Sequence, residues 1–155
     1  MNATTGSNQT FTWKLNISQE HKERELKAQF GPWDGSYKLV NPIMITVKQK
    51  LSGNTTVNKS SENRKSRRLY WVGDLKRDYY IAFKLVNIQR DDAGDYGVKL
   101  RVDNSSRRPV TLQSWFTLMV EVRKNNLIVF CTLHRGVQKK TELSLFFSFN
   151  CIHPI

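Results

Sequence analysis

The feature that most constrains this chain is a two-residue alternation of apolar and polar side chains, repeated along its length and interrupted by turn residues. No segment carries a sustained helical stripe. Residues 10–15 turn Phe11, Trp13 and Leu15 to one side against Thr12 and Lys14, and residues 25–30 do the same with Leu26, Ala28 and Phe30 before "GPWDG" breaks the run. Ile43, Ile45 and Val47 mark a third strand over residues 42–49. Residues 68–72 are short and end at Gly73-Asp74. Residues 80–88 set Ile81, Phe83 and Leu85 on one face, with Ile88 closing the run. Residues 98–102 and 115–122 complete the series. Successive strand side chains point to opposite faces, so this pattern predicts half-buried strands and an all-β sandwich.

Between the strands lie polar connections. "SGNTTVNKSSENRKS", residues 52–66, reads as an exposed loop with room for one short edge strand, and residues 104–109 form a second loop. Residues 18–25, "SQEHKERE", read as a charged loop rather than a helix. No internal repeat is present. A chain of 155 residues is long enough to bury one real core.

The segment "NIQRDDAGDYGVKLRV", residues 87–102, is more specific. A tight acidic turn leads into Tyr96, and then Val98, Leu100 and Val102 alternate with Lys99 and Arg101. It resembles the E–F corner and F strand of a V-type immunoglobulin domain, where D-x-[AG]-x-Y-x-C is usual. "GSNQTFTW" resembles the opening of strand B, "RRLYWVGD" strand D and "SWFTLMVEV" strand G. The resemblance implies a V-type immunoglobulin-like sandwich over residues 6–123, with strand A missing and residues 124–155 an unclassified tail. In style it is similar to the cysteine-poor recognition domains of invertebrate, cnidarian-type cell-surface proteins.

In that alignment both intersheet cysteines are absent. Trp13 stands at the strand B position, Val98 at the strand F position, and Ala28 near the core tryptophan position of strand C. Losing such a bridge costs about 2–5 kcal/mol. Burying an indole of about 150–250 Å2 returns roughly 4–6 kcal/mol as an upper bound. The resemblance therefore implies that Trp13, packed against Val98 and Ala28, replaces the bridge. It also implies an ion pair between Arg68 and Asp92, and a Tyr96 hydroxyl that bonds back to the corner.

Six N-x-[ST] sequons, at Asn2, Asn8, Asn16, Asn54, Asn58 and Asn104, exceed the roughly two that chance predicts for this composition. They point to an extracellular or cell-surface location. The polar start "MNATTGSNQT" has the features of no signal peptide, and the apolar runs 127–130 and 143–149 are too short to span a membrane. A truncated receptor fragment would reconcile the two. Only Cys131 and Cys151 are present, so no bridge staples the main body.

Catalytic signatures are absent: neither a G-x-S-x-G elbow nor a phosphate-binding glycine loop occurs, and no cofactor is called for. Asp91, Asp92 and Asp95 read as turn chemistry before calcium ligation. Cys131 with His134 and Cys151 with His153 have the residue types of a zinc site, but the second spacing is too short for it. The expectation is a binding module, not an enzyme.

V-type domains bind proteins through the sheet of strands G, F, C, C′ and C″. The resemblance places Lys27, Gln29, Lys99, Arg101, Thr117, Met119 and Glu121 on its outer face, as the surface for a protein partner or a second copy. The formal charge of +12 also calls for an anionic partner. Arg64, Lys65 and Arg67 are the candidates for binding a glycosaminoglycan. Inward-pointing aromatics and the sequons argue against nucleic acid.

Overall fold

The computed structural model describes residues 7–17, 22–36, 38–103, 109–123, 126–134 and 144–151, those beyond 120 by their backbone. Ten strands form two antiparallel sheets. They are β1 (Gln9–Asn16), β2 (Leu26–Pro32), β3 (Ile45–Gln49), β4 (Thr55–Lys59), β5 (Leu69–Trp71), β6 (Tyr80–Leu85), β7 (Gly94–Val102), β8 (Val110–Arg123), β9 (Asn126–His134) and β10 (Ser144–Cys151). The first sheet runs β10-β1-β6-β5 and the second β4-β3-β2-β7-β8-β9. The molecule is thus an all-β sandwich. The only helical pieces among the described residues are short, such as the 3-10 turns Arg64–Arg68 and Arg90–Asp92.

Alternation sets what lies between the sheets. Phe11 and Trp13 of β1, Leu26, Ala28 and Phe30 of β2, Ile81 and Phe83 of β6, Val98 and Leu100 of β7, and Phe116 of β8 are all buried in one core. Its centre is aromatic. Phe11 and Phe116 stack with centroids 4.7 Å apart, and Phe30 lies 4.9 Å from Phe83. Trp13 meets Phe30, Phe83 and Phe116 at 6.1–6.3 Å in tilted or edge contacts. Such pairs add about 0.5–1.5 kcal/mol each beyond the area they bury. Trp13, Ala28 and Val98 are each fully buried here. Phe30, opposite Val98 in the β2–β7 register, supplies the large ring on strand β2.

The segment after Arg123, which the sequence pattern left without a place, provides both outer strands on one side of the sandwich. β9 pairs with β8 from Trp115↔His134 to Arg123↔Asn126. β10 pairs with β1 over eight positions, from Gln9↔Cys151 to Asn16↔Ser144. The physical reason is edge satisfaction: β1 and β8 would otherwise each present a row of unpaired backbone groups. The boundary drawn at residue 123 is therefore a division of the sequence pattern, and pairing continues across it.

Two ends of the sandwich follow from the registers. β7 begins beside the Arg90–Asp92 turn and finishes where Val102 meets Leu26. One end thus holds the corner, and the other holds the loops that precede β2, join β3 to β4 and precede β6.

Candidate functional site

At the corner, Arg68 Nη1 and Nη2 each donate to a carboxylate oxygen of Asp92 at 2.7 Å. Asp92 is fully buried and Arg68 one-fifth exposed. The second lone pairs are also used. The backbone N–H of Gln89 donates to Asp92 Oδ2 at 2.8 Å, and Arg68 Nη1 donates to the Asn87 carbonyl at 2.7 Å. The bond to Asp92 is what raises the Arg68 guanidinium above its ordinary value. Such bidentate, charge-assisted geometry is the strong form of the ion pair.

The Tyr96 hydroxyl donates to the Asp92 carbonyl at 2.7 Å, and burial pushes its phenol above the usual tyrosine range. Lys65 completes the corner, donating to the Tyr96 oxygen at 3.0 Å and to the Asp91 carbonyl at 2.5 Å. Lys65 was a polyanion candidate in the sequence, grouped with Arg64 and Arg67. In the fold it is engaged with the corner, while Arg64 and Arg67 remain exposed on the adjoining 3-10 turn. The sequence signal for this was available: Lys65 lies three residues before Arg68, and on a 3-10 turn side chains three apart share a face.

The outer face of the six-stranded sheet is a second assembly. Lys27 of β2 stands opposite Lys48 of β3 on one side and Arg101 of β7 on the other. Gln29 and Lys99 form the next rung, continued by Gln113 of β8. Four bases therefore occupy adjacent rungs of three neighbouring strands, about 4.8 Å apart from strand to strand. Arg101 Nε donates to Asp103 Oδ1 at 2.6 Å. Lys27, Lys48 and Lys99 have no carboxylate partner among the described residues.

Towards the corner the same face turns aromatic. Trp33 and Trp115 stack in parallel, with centroids 5.5 Å apart and planes 4° from each other. Gly97, in register with Trp115, lies under Trp33; a β-carbon there would come within 2.0 Å of the indole. Trp33 Nε1 is buried with no hydrogen-bond partner among the described residues. Sequence reasoning missed this pair, although a glycine at an outward strand position is a sign of close approach. Thr117 and Met119 extend the face along β8. The Thr117 hydroxyl donates to Asp95 Oδ1 at 2.6 Å, and Met119 is exposed. The structure thus gathers Lys27, Gln29, Lys99 and Arg101, and sets Thr117 and Met119 beyond the tryptophans. The side chain of Glu121 lies outside the described residues.

The remaining sequence candidates separate widely. Asn8, Asn16, Asn54 and Asn58 are exposed, while Asn2 and Asn104 lie outside the described residues. Among the described residues no three His, Cys, Asp or Glu side chains converge as metal ligands. Cys131 falls on β9 and Cys151 at the end of β10; His153 lies outside the described residues. No helix among those described is long and apolar enough to cross a membrane.

No protein-family model matches this chain, and no curated protein matches it in sequence.

Proposed function

We propose that the chain is an extracellular recognition module of immunoglobulin type that binds a protein partner through the outer face of its six-stranded sheet. The strand order supports the family reading: β1-β6-β5 and β8-β7-β2-β3-β4 follow the B-E-D and G-F-C-C′-C″ orders of a V-type sandwich, with β10 where strand A would pair. The observation that carries the reading is the row Lys48, Lys27, Arg101. Like charges directly opposite one another on a sheet destabilise it, on the order of a few tenths of a kcal/mol per pair. An acidic partner surface removes that repulsion and converts it into complementarity.

The sign of the charge also selects the kind of partner. A two-fold contact between identical copies brings each patch against itself, so a homophilic contact through this face would press bases against bases. The partner is therefore heterologous and acidic. The sequon Asn54 precedes β4 and Asn58 lies on that edge strand, while those at Asn8 and Asn16 lie with β1 of the other sheet. The centre of the face, on β2 and β7, carries none.

The test uses the full chain displayed as tetramers on cells. Staining is expected to fall with protease treatment of the cells and with a Lys27→Glu, Lys99→Glu variant, and to persist after heparan-sulfate digestion. Equal staining by the variant, or staining that survives protease, would sink the proposal. Sedimentation should report a monomer across micromolar concentrations; dimers that persist at high salt would overturn the heterophilic assignment.

A further inference from the structure

At the end of the sandwich opposite the corner, three loops border an open cavity of about 360 Å3. Each contributes bases: Lys22 and Arg24 precede β2, Lys50 begins the β3–β4 hairpin, and Lys76 precedes β6. Among the described residues Glu23 is the sole acid in the lining, so four cations there face one carboxylate. Lys50 and Lys76 have no carboxylate partner among the described residues.

The local backbone aims these groups. In the hairpin, the Gly53 N–H donates to the Lys50 carbonyl and the Lys50 N–H to the Asn54 carbonyl, and Gly53 takes a φ of +85°. Lys76 crosses over this glycine; a β-carbon at Gly53 would meet its ammonium at 2.4 Å. Asp74 accepts from the backbone N–H groups of Lys76 and Arg77 at 2.7 and 2.9 Å, which hold its carboxyl below the usual range and fix the turn. Tyr79 sits at a φ of +48°, a costly conformation for a bulky residue. Its carbonyl accepts from the Leu15 N–H, and its ring lies 5.1 Å below the Lys22 ammonium.

The floor is of different chemistry. Leu26 and Leu75 are buried beneath the cavity beside the Tyr79 ring. Gln49, only 6% exposed, forms part of the wall, and its Oε1 accepts from the Thr55 hydroxyl. An apolar floor with convergent polar groups is the composition of a ligand site, and the volume falls at the small end of such sites.

We infer that this cavity binds one ring of an acidic saccharide, a sugar bearing carboxylate or sulfate groups, with its C–H face on Tyr79 and Leu75 and its anionic groups on Lys22, Lys50 and Lys76. The volume suits one sugar ring and is small for an acidic peptide, whose successive side chains need a groove. The site adjoins the end of the sheet that carries Lys27 and Lys48 but draws its bases from the loops, and it relocates the polyanion chemistry away from Arg64 and Arg67.

The experiment is calorimetric titration of the full chain, made without attached glycans, at near-physiological salt. The probes are a heparin tetrasaccharide, sialyllactose, neutral maltotetraose and inorganic sulfate. One or both acidic sugars should bind with one-to-one stoichiometry, and which one binds tells sulfate from carboxylate recognition. Affinity should weaken about tenfold or more in Lys50→Ala, Lys76→Ala, as loss of two charge-assisted contacts implies. It should be retained in Lys27→Glu, Lys99→Glu, and in Arg64→Ser, Arg67→Ser. Unchanged thermal unfolding verifies that each variant is folded. Failure of both sugars to bind, equal binding of maltotetraose or of sulfate alone, or loss in the other variants instead would overturn the inference. None of these outcomes bears on the protease-sensitive staining that tests the face.

Discussion

At the corner end of the sandwich, Arg68 and Lys65 reach Asp92, Tyr96 and two backbone carbonyls, so both of these bases have partners. At the opposite end, Lys22, Lys50 and Lys76 surround a cavity that holds a single carboxylate. The same residue types serve different purposes at the two ends. A buried, bidentate pair ties β5 to the turn before β7, and removing one partner strands the other. Bases without acids contribute no such tie and add repulsion. The difference teaches that the net charge of +12 is not one property: part of it is structural, and part has no acidic counterpart among the described residues.

The sharpest way to break this comparison starts from what both ends share, the aromatic core. Trp13→Ala should lower unfolding free energy by about 3–5 kcal/mol in urea titrations. A loss under about 1 kcal/mol would mean the sandwich does not depend on the indole for what a bridge would supply. Asp92→Ala should cost about 3 kcal/mol or more, since it leaves the Arg68 guanidinium without its carboxylate. If the loss is slight, the corner is no better tied than the cavity end.

Tyr96→Phe is a finer probe. It should cost about 1 kcal/mol at neutral pH by removing the hydroxyl's bond to Asp92. Burial raises the phenol in the folded chain, so on alkaline titration the unfolded chain loses this proton first. Wild-type stability should therefore fall as pH rises past the ordinary tyrosine value of 10.0, and the phenylalanine variant should lack that component. The smallest effect belongs to the other end. Lys50→Ala, Lys76→Ala should change stability by no more than about 0.5 kcal/mol, and any gain should shrink with added salt. A loss of several kcal/mol would show that the cavity bases also support the fold.

Legibility in the sequence followed the same division. The corner could be read because most of its parts lie close together from Asp91 to Tyr96, with Arg68 supplied from a distance; Lys65, also distant, was not read as part of it. The central strands were read from alternation, although β8 runs from Val110, five residues before the alternation recognised at Trp115. β9 and β10 were not placed: "LIVF" lacks alternation, "LSLFFSF" alternates Leu143, Leu145, Phe147 and Phe149 with Ser144 and Ser148 but is interrupted by Phe146, and neither run reveals which edge it covers. The outer face was legible as a list of outward positions; that Lys48 joins it depends on the β2–β3 register. Nothing local marks the cavity. Lys22, Lys50 and Lys76 each look like a base in a solvated loop, and only the closure of three loops around Tyr79 brings them together.

The pairing of β1 with β10 bears on how such a chain emerges from the ribosome. Gln9 is synthesised long before its partner Cys151. Throughout that interval β1 can be joined on one side by β6 but offers its other side to any strand nearby, including that of a neighbouring nascent chain. Among the described pairings, that of β1 with β10 closes the longest loop, which slows this step relative to the local hairpins. During synthesis, the free side of β1 therefore stays open until β10 is made.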